Sequence, residues 1–254
     1  MDDRIMKSIS DNWFYLMAFL VSLGLMFLLP AIVTPATAII YGIDNPGFFE
    51  QFLIELKYPL SAMSSTTLSI YALSQFLVSL IIAIIFIIVL WKKLINDFKV
   101  FKKNLWYNLL SIVLWFVVII VITVGMAVLF FDLLGIEGTA ENQEGVEALI
   151  ASELGFLMLI STVLLAPFIE EIIFRKFLIG LFEKTFRLPI YIATILSAVI
   201  FGLIHDYKVF FFMYFPMALV LSLSYSLHKN NIFIPIGVHF LNNVYAVIMM
   251  TLVF

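Results

Sequence analysis

The sequence predicts an all-α protein, a polytopic transmembrane helix bundle of seven to eight spans. Of its 254 residues, 64% are hydrophobic and only 12% are charged, whereas soluble domains carry about 25% charged residues. The apolar residues are gathered into long runs, and a helix of about 20 such residues crosses the hydrocarbon core of a bilayer. We therefore expect a multi-pass protein of the cell membrane, folded as a single integral-membrane domain over residues 1–254.

Seven apolar runs are long enough to be spans. They cover approximately residues 13–41, 67–91, 105–131, 149–182, 189–205, 209–227 and 232–254. Pro30 and Pro35 are expected to break the first run, and the fourth is expected to bend near Pro167 or after Arg175. Residues 42–66 are predicted to form a loop with an interfacial segment at 48–56, where an eighth membrane-embedded helix could lie.

The lysines and arginines predict the orientation of the bundle. Twelve of the fourteen fall on one side when the spans are threaded in order: Arg4, Lys7, Lys92, Lys93, Lys99, Lys102, Lys103, Arg175, Lys176, Lys184, Arg187 and Lys229. Since cytoplasmic loops carry an excess of Lys and Arg, the N-terminus is expected in the cytoplasm and, with seven spans, the C-terminus outside. The loop at 132–153 has six acidic residues and no Lys or Arg, so it is expected outside.

Residue types that the chain lacks narrow its chemistry. There is no cysteine, which excludes disulfides, thiolate metal sites and a cysteine nucleophile. The sequence contains nothing like a basic nucleic-acid surface, so the lipid bilayer is the expected surrounding and nucleic acid is not an expected partner. The first apolar run is too long for a signal-peptide core and is predicted to be a retained span.

Two glutamates and an arginine lie inside the fourth apolar run: Glu170, Glu171 and Arg175. A charge at mid-bilayer costs about 2.5–3.5 kcal/mol, so such residues usually face a protein interior or a wet cavity. In a helix, Glu171 and Arg175 are four residues apart in the favourable order for an ion pair, which leaves Glu170 available to bind water. A solvated helix end is the alternative, but residues 177–182 continue the apolar run and argue against it.

Two histidines lie in further apolar runs. Phe201 is one helical turn before His205, and Asn243 is one turn after His239 on the same face. A histidine at the end of a span often only packs, and a His/Asn pair can simply bridge two helices. The same pair can also present two donors to a developing oxyanion.

Together these residues supply the groups that water-mediated amide hydrolysis needs. A carboxylate or a histidine deprotonates the water, and hydrogen-bond donors stabilise the tetrahedral oxyanion. The chain has no H-E-x-x-H zinc helix, no G-x-S-x-G nucleophile elbow and no pair of aspartates in its apolar runs. Their absence argues against the zinc-helix, serine and aspartyl types of intramembrane protease.

Three motifs in one order resemble the signature of a known family. They are Glu-Glu-x-x-x-Arg at 170–175, Phe-x-x-x-His at 201–205 and His-x-x-x-Asn at 239–243. The set resembles the CPBP family, the CAAX proteases and bacteriocin-processing enzymes also called Abi proteins, which are related to the Ras-converting CAAX prenyl endopeptidase. The resemblance covers residues 150–250, the expected catalytic core, while the first 130 residues match only as generic spans.

The resemblance implies an intramembrane endopeptidase with its catalytic residues in a cavity within the bundle. Glu170 would activate water with assistance from His205, and His239 with Asn243 would bind the oxyanion. The supporting residues would be Glu171 and Arg175. A divalent metal such as zinc, held by Glu170, His205 and His239, is the alternative. Because Asn243 is a poor zinc ligand and a good oxyanion donor, hydrolysis without a cofactor is favoured.

The resemblance also implies a peptide or small membrane protein as substrate. In archaeal and eukaryotic relatives this is a prenylated CAAX peptide, and in bacteria a bacteriocin or peptide pheromone is expected. A non-catalytic membrane partner, such as a bacteriocin self-immunity or regulatory protein that binds in the same cavity, is the second hypothesis. A transporter with a Glu/His proton relay is the third.

The positions of the two histidines along their spans differ. His205 lies ~24 Å from the start of its run and His239 ~10 Å from the start of its own, which straight parallel helices would hold apart. We therefore expect strongly tilted helices, a break at Gly202, or shifted boundaries, around a water-filled cavity that tolerates irregular backbone.

Overall fold

The helical bundle is present in the structure, a computed structural model of the chain. The structure describes residues 3–136, 138 and 140–253, with side chains for 13–136, 138, 140 and 143–250. Glu137 and the side chain of Glu141, both in the acidic loop, lie outside this description. Within it, the regular structure is helical and there is no strand.

Nine helices, numbered here in chain order, make up the described part of the chain. They are α1 Asp3–Asp44, α2 Phe48–Glu55, α3 Ser65–Lys103, α4 Leu105–Leu133, α5 Glu141–Ile150, α6 Gly155–Thr185, α7 Ile190–His205, α8 Phe211–Leu227 and α9 Phe233–Val253. Five of them in the described range, α1, α3, α4, α6 and α9, are long and apolar enough to cross a membrane, while α7 and α8 are shorter apolar helices. These seven coincide with the seven predicted runs, and α2 occupies the predicted interfacial segment. The all-α membrane bundle is confirmed, and the number of complete crossings stays a prediction.

The predicted break in the first run is wrong. α1 continues as a helix through both Pro30 and Pro35. A proline removes one backbone hydrogen bond, and membrane helices tolerate this loss where neighbouring groups compensate for it. A bend was predicted in the fourth run, near Pro167 or after Arg175. The structure has wide π-helical turns there, at Ser161–Leu165 and Ile172–Ile179. They lie on either side of the α-helical segment Ala166–Glu171.

The second half of α6 lies in the main apolar core and is held from several sides. Its side chains from Ile172 to Ile179, apart from Lys176, are at most 2% exposed. They pack with Phe86 and Leu90 of α3 and with Phe201 of α7. This packing fixes the rotation of α6 and therefore the direction in which its acidic residues point.

Candidate active site

The charged residues of α6 form a buried ion pair beside a half-buried glutamate. Arg175 Nε lies 2.9 Å from Glu171 Oε2, and the side chains of both residues are 0% exposed. Arg175 also donates from Nη2 to Glu171 Oε1 and from Nη1 to Ser197 Oγ, each at 3.5 Å. Glu170 is 19% exposed and lines a cavity. The predicted division between a paired Glu171 and an available Glu170 therefore agrees with the geometry.

Glu171 has a second partner that the sequence did not indicate. His239 Nδ1 donates to Glu171 Oε1 at 2.9 Å, across 68 residues of chain. A carboxylate bonded to one ring nitrogen fixes the tautomer and the orientation of an imidazole. A series of contacts runs from Ser197 through Arg175 and Glu171 to His239. The charges of Arg175 and Glu171 compensate each other, and Glu171 also positions the His239 ring.

His205 is oriented by its own helix. As the last residue of α7, it donates from Nδ1 to the carbonyl oxygen of Phe201 at 2.9 Å. Its ring stacks on the Phe201 ring with 4.0 Å between centroids, and Tyr214 of α8 lies at 5.1 Å on a tilted plane. Because a carbonyl oxygen only accepts, Nδ1 carries a proton in this bond, and Nε2 is the ring nitrogen left to face Glu170.

The two histidines meet at Glu170. Glu170 Oε2 lies 3.7 Å from His205 Nε2 and 3.9 Å from His239 Nε2. This oxygen is enclosed and has no hydrogen-bond partner among the described residues. An unpaired carboxylate oxygen between two imidazole nitrogens is a site at which a proton can be taken up and passed on. The structure thus brings together three residues from three different helices.

Asn243 lines the same cavity, but one of its side-chain N–H groups already makes a hydrogen bond. Its Nδ2 donates to the carbonyl oxygen of Thr162 at 2.8 Å, in the wide-turn segment of α6 that precedes Glu170. One of its two N–H groups is used in this bond, and the second is the group that the predicted oxyanion role requires. Glu170, His205, His239 and Asn243 all line one cavity of about 550 Å³.

A second cavity, about 420 Å³ in volume, lies at the lysine-rich end of the bundle. It contains none of the predicted site residues.

The break expected at Gly202 is also wrong, since α7 continues unbroken to His205. A Cβ added at Gly202 would lie 3.0 Å from the Phe211 ring and 3.3 Å from Phe215 Cα, so this glycine allows α7 and α8 to pack closely. The ends of α7, α8 and α9 agree with the predicted runs within two residues. The two histidines thus approach Glu170 from helices that are both unbroken.

The metal alternative requires Glu170, His205 and His239 to be spaced as the ligands of one metal ion. Glu170, His205 and His239 are suitable in kind, but two ligand atoms bound to a tetrahedral zinc at 2.0–2.2 Å lie about 3.4 Å apart. The observed separations are 3.7 and 3.9 Å, and no group of three or more His, Asp or Glu residues in the described part of the chain is placed to hold a metal ion. The observed separations are a few tenths of an ångström longer than this spacing, so the need for a metal stays a prediction, and no step below uses one.

Phe201, Ser197 and Tyr214 were not predicted as part of the site. Phe201 is fully buried and packs near both histidines, with Arg175 Cζ 5.1 Å from its ring centroid. Ser197 donates to the carbonyl oxygen of Phe174 at 2.7 Å and accepts from Arg175. The spacing Phe-x-x-x-His signalled Phe201 in the sequence, whereas nothing local signalled the other two.

Comparison with known proteins shows which family and which relatives this chain resembles. Residues 152–245 match the family model "Type II CAAX prenyl endopeptidase Rce1-like", a range that contains all six predicted site residues. The chain is also 29% identical over 219 residues to the membrane-embedded CAAX protease MroQ of Staphylococcus aureus, covering 84% of this chain and 86% of that protein. These matches support an assignment to the CPBP family.

Two further relatives match over shorter ranges. A proposed membrane peptidase of Bacillus subtilis, YdiL, is 37% identical over 94 residues, which cover 37% of each chain. The UPF0177 protein YajF of Lactococcus lactis is 29% identical over 132 residues, which cover 50% of this chain and 61% of that protein. The matches thus span well under half of the Bacillus protein. No solved structure matches the chain.

The matches and the fold together make this chain a multi-pass membrane protein that is similar to membrane proteases. The matched range, residues 152–245, contains all three motifs.

Proposed function

We propose that the protein is an intramembrane endopeptidase that hydrolyses a peptide bond in a membrane-associated or lipidated peptide or small membrane protein. The observation that carries the proposal is the enclosed Oε2 of Glu170, which faces the Nε2 atoms of His205 and His239 at 3.7 and 3.9 Å. The name of the Staphylococcus relative as a CAAX protease supports the same reaction class.

Glu170 is the proposed base. A water molecule donates one hydrogen bond to His205 Nε2 and transfers its other proton to the Glu170 carboxylate as its oxygen attacks the substrate carbonyl carbon. The C–N bond then breaks, and Glu170 returns the proton to the departing amine nitrogen. Protons and charges balance over the cycle, with water added across the peptide bond.

His239 and Asn243 are the proposed oxyanion donors. His239 stays bonded through Nδ1 to the Glu171 carboxylate at 2.9 Å, and in its protonated form it has a second N–H, at Nε2, to donate. Asn243 adds its second N–H. Such donors in a dry, preorganised site stabilise charge that develops in the transition state. Arg175 compensates the charge of Glu171 and keeps that carboxylate in place.

The proposal is tested with the purified protein in detergent and a library of internally quenched ten-residue apolar peptides. Replacing His205 with glutamine is expected to reduce cleavage of the best library peptide about 10²-fold, since one positioned acid–base group contributes about 10²–10⁴-fold. His228→Gln is the matched control, because His228 does not line the cavity and bonds to the carbonyl oxygen of Ser224. Equal effects of the two substitutions would contradict the role of His205. Peptide processing in cells that survives loss of Glu170, His205 and His239 together would favour a non-catalytic binding protein.

Chelation tests the cofactor requirement separately. Cleavage by the wild type is expected to persist in excess EDTA and in 1,10-phenanthroline, because the proposed steps use only side chains of this chain. The rate of library-peptide cleavage is measured before and after dialysis against each chelator. Loss of activity that zinc restores would establish the metal alternative with Glu170, His205 and His239 as ligands.

A further inference from the structure

The cavity that contains Glu170 extends toward one end of the bundle. Its outer lining comes from residues near helix ends on that side: Gln75 in the first turns of α3, Phe131 at the end of α4, Gln143 and Val146 of α5, and Met250 near the end of α9. Glu170 itself lies midway along α6, about 22 Å from either end at 1.5 Å per residue. The cavity therefore connects the middle of the bundle with the end that carries α5.

The opposite direction is closed by packed side chains. Immediately beyond Glu170 along α6, Phe174, Arg175 and Phe177 are at most 2% exposed. Phe201 fills the space beside them, with its ring 4.9 Å from that of Phe174. Glu170 can thus be reached from the α5 end and not through this layer.

The two ends of the bundle differ in charge. The segment 132–153 at the α5 end has six acidic residues and no lysine or arginine, whereas twelve of the fourteen basic residues belong to the other end or to its approach. An excess of lysine and arginine marks the cytoplasmic side of a membrane protein. By this rule the open end of the cavity lies outside the cytoplasm.

We propose that the site is loaded from the extracytoplasmic face, by an extended apolar segment of a peptide that enters between α3, α6 and α9. The proposal rests on the proposed function for its choice of occupant, but the direction of opening is independent of catalysis. It distinguishes this protein from a protease that receives its substrates from the cytoplasm.

The wall between the opening and Glu170 is suited to an extended main chain. Ser161 and Thr162 line it, and neither hydroxyl has a hydrogen-bond partner within the described structure. They lie two helical turns before Glu170, ~12 Å along the axis, which an extended peptide covers with about three or four residues. Four methionines, at 158, 213, 217 and 250, line the same cavity. Methionine side chains adapt to varied apolar partners, so the occupant is expected to be apolar and at least four residues long.

The lack of cysteine in this chain makes the direction of opening directly measurable. Single cysteines are introduced at Gln143, at the opening, and at Lys92, an exposed residue near the opposite end of α3. A membrane-impermeant maleimide is expected to label Gln143→Cys in intact cells and Lys92→Cys only after permeabilisation. The reverse pattern, or labelling of Lys92→Cys in intact cells, would overturn the proposal.

A third variant, Met213→Cys, tests the route into the cavity. A small charged methanethiosulfonate added outside intact cells is expected to label this half-buried position, and an excess of the pooled ten-residue apolar peptides is expected to abolish the labelling. Labelling that requires permeabilisation, or that peptides leave unchanged, would overturn the proposal. Repeating the experiment in Glu170→Gln separates the two questions, because accessibility does not depend on cleavage.

Discussion

Replacing Glu170 with glutamine is expected to reduce peptide cleavage at least about 10³-fold, toward the upper range for a single acid–base group. Glutamine has nearly the same shape but cannot take a proton from water. Because Oε2 of Glu170 has no hydrogen-bond partner in the described structure, the substitution breaks no hydrogen bond of that oxygen. The melting temperature in detergent is therefore expected to stay the same or rise, so that loss of activity reports on chemistry rather than on folding.

Glu183→Gln is the matched control for this experiment. Glu183 lies on the same helix, pairs with Lys184 at 2.6 Å, and lines the cavity at the lysine-rich end. Its replacement is expected to leave the cleavage rate nearly unchanged. A Glu170→Gln protein that retains a substantial share of wild-type activity on the library peptide would remove Glu170 from the role of base, whatever the control shows.

The spans were predictable because hydropathy alone sets them. A run of apolar residues must be buried in lipid or protein, and the ends of α3, α7 and α8 fall within a few residues of the ends of the runs, except where α3 extends to Lys103. That extension is amphipathic and basic, so composition alone does not distinguish it from a loop. The continuity of α1 through Pro30 and Pro35 was not predictable. A proline in a membrane helix either breaks the helix or is tolerated, depending on the groups that surround it.

Parts of the candidate site were predictable because each motif is local. Residues four apart on a helix share a face, which indicated the pair Glu171–Arg175 and the proximity of Phe201 to His205. The contact between Glu171 and His239 was not predictable, because it depends on how α6 and α9 pack. The role of Ser197 was not predictable either, because a serine in an apolar run is common. Only the position of Arg175 in the fold makes Ser197 its hydrogen-bond acceptor.

The buried ion pair is expected to have the largest effect on stability. Arg175→Met leaves Glu171, which is 0% exposed, with His239 as its only remaining ionisable partner in the described structure. Removing one member of a buried pair destabilises a protein by about 3–5 kcal/mol. Unfolding in mixed detergent micelles is expected to show a loss of this size. Lys184→Met is the matched control, because its ion pair with Glu183 on the same helix is more exposed, and a loss of about 1 kcal/mol or less is expected there.

The double variant Arg175→Met, Glu171→Gln separates charge compensation from positioning. Removing both charges together is often neutral for stability, so most of the loss in Arg175→Met is expected to be recovered. Glutamine still accepts a hydrogen bond from His239 Nδ1, but it no longer stabilises an imidazolium. Cleavage is therefore expected to remain at least about 10²-fold below wild type, since a carboxylate partner matters to a catalytic histidine beyond its geometry. Full recovery of both stability and cleavage would show that Glu171 serves only to balance the charge of Arg175.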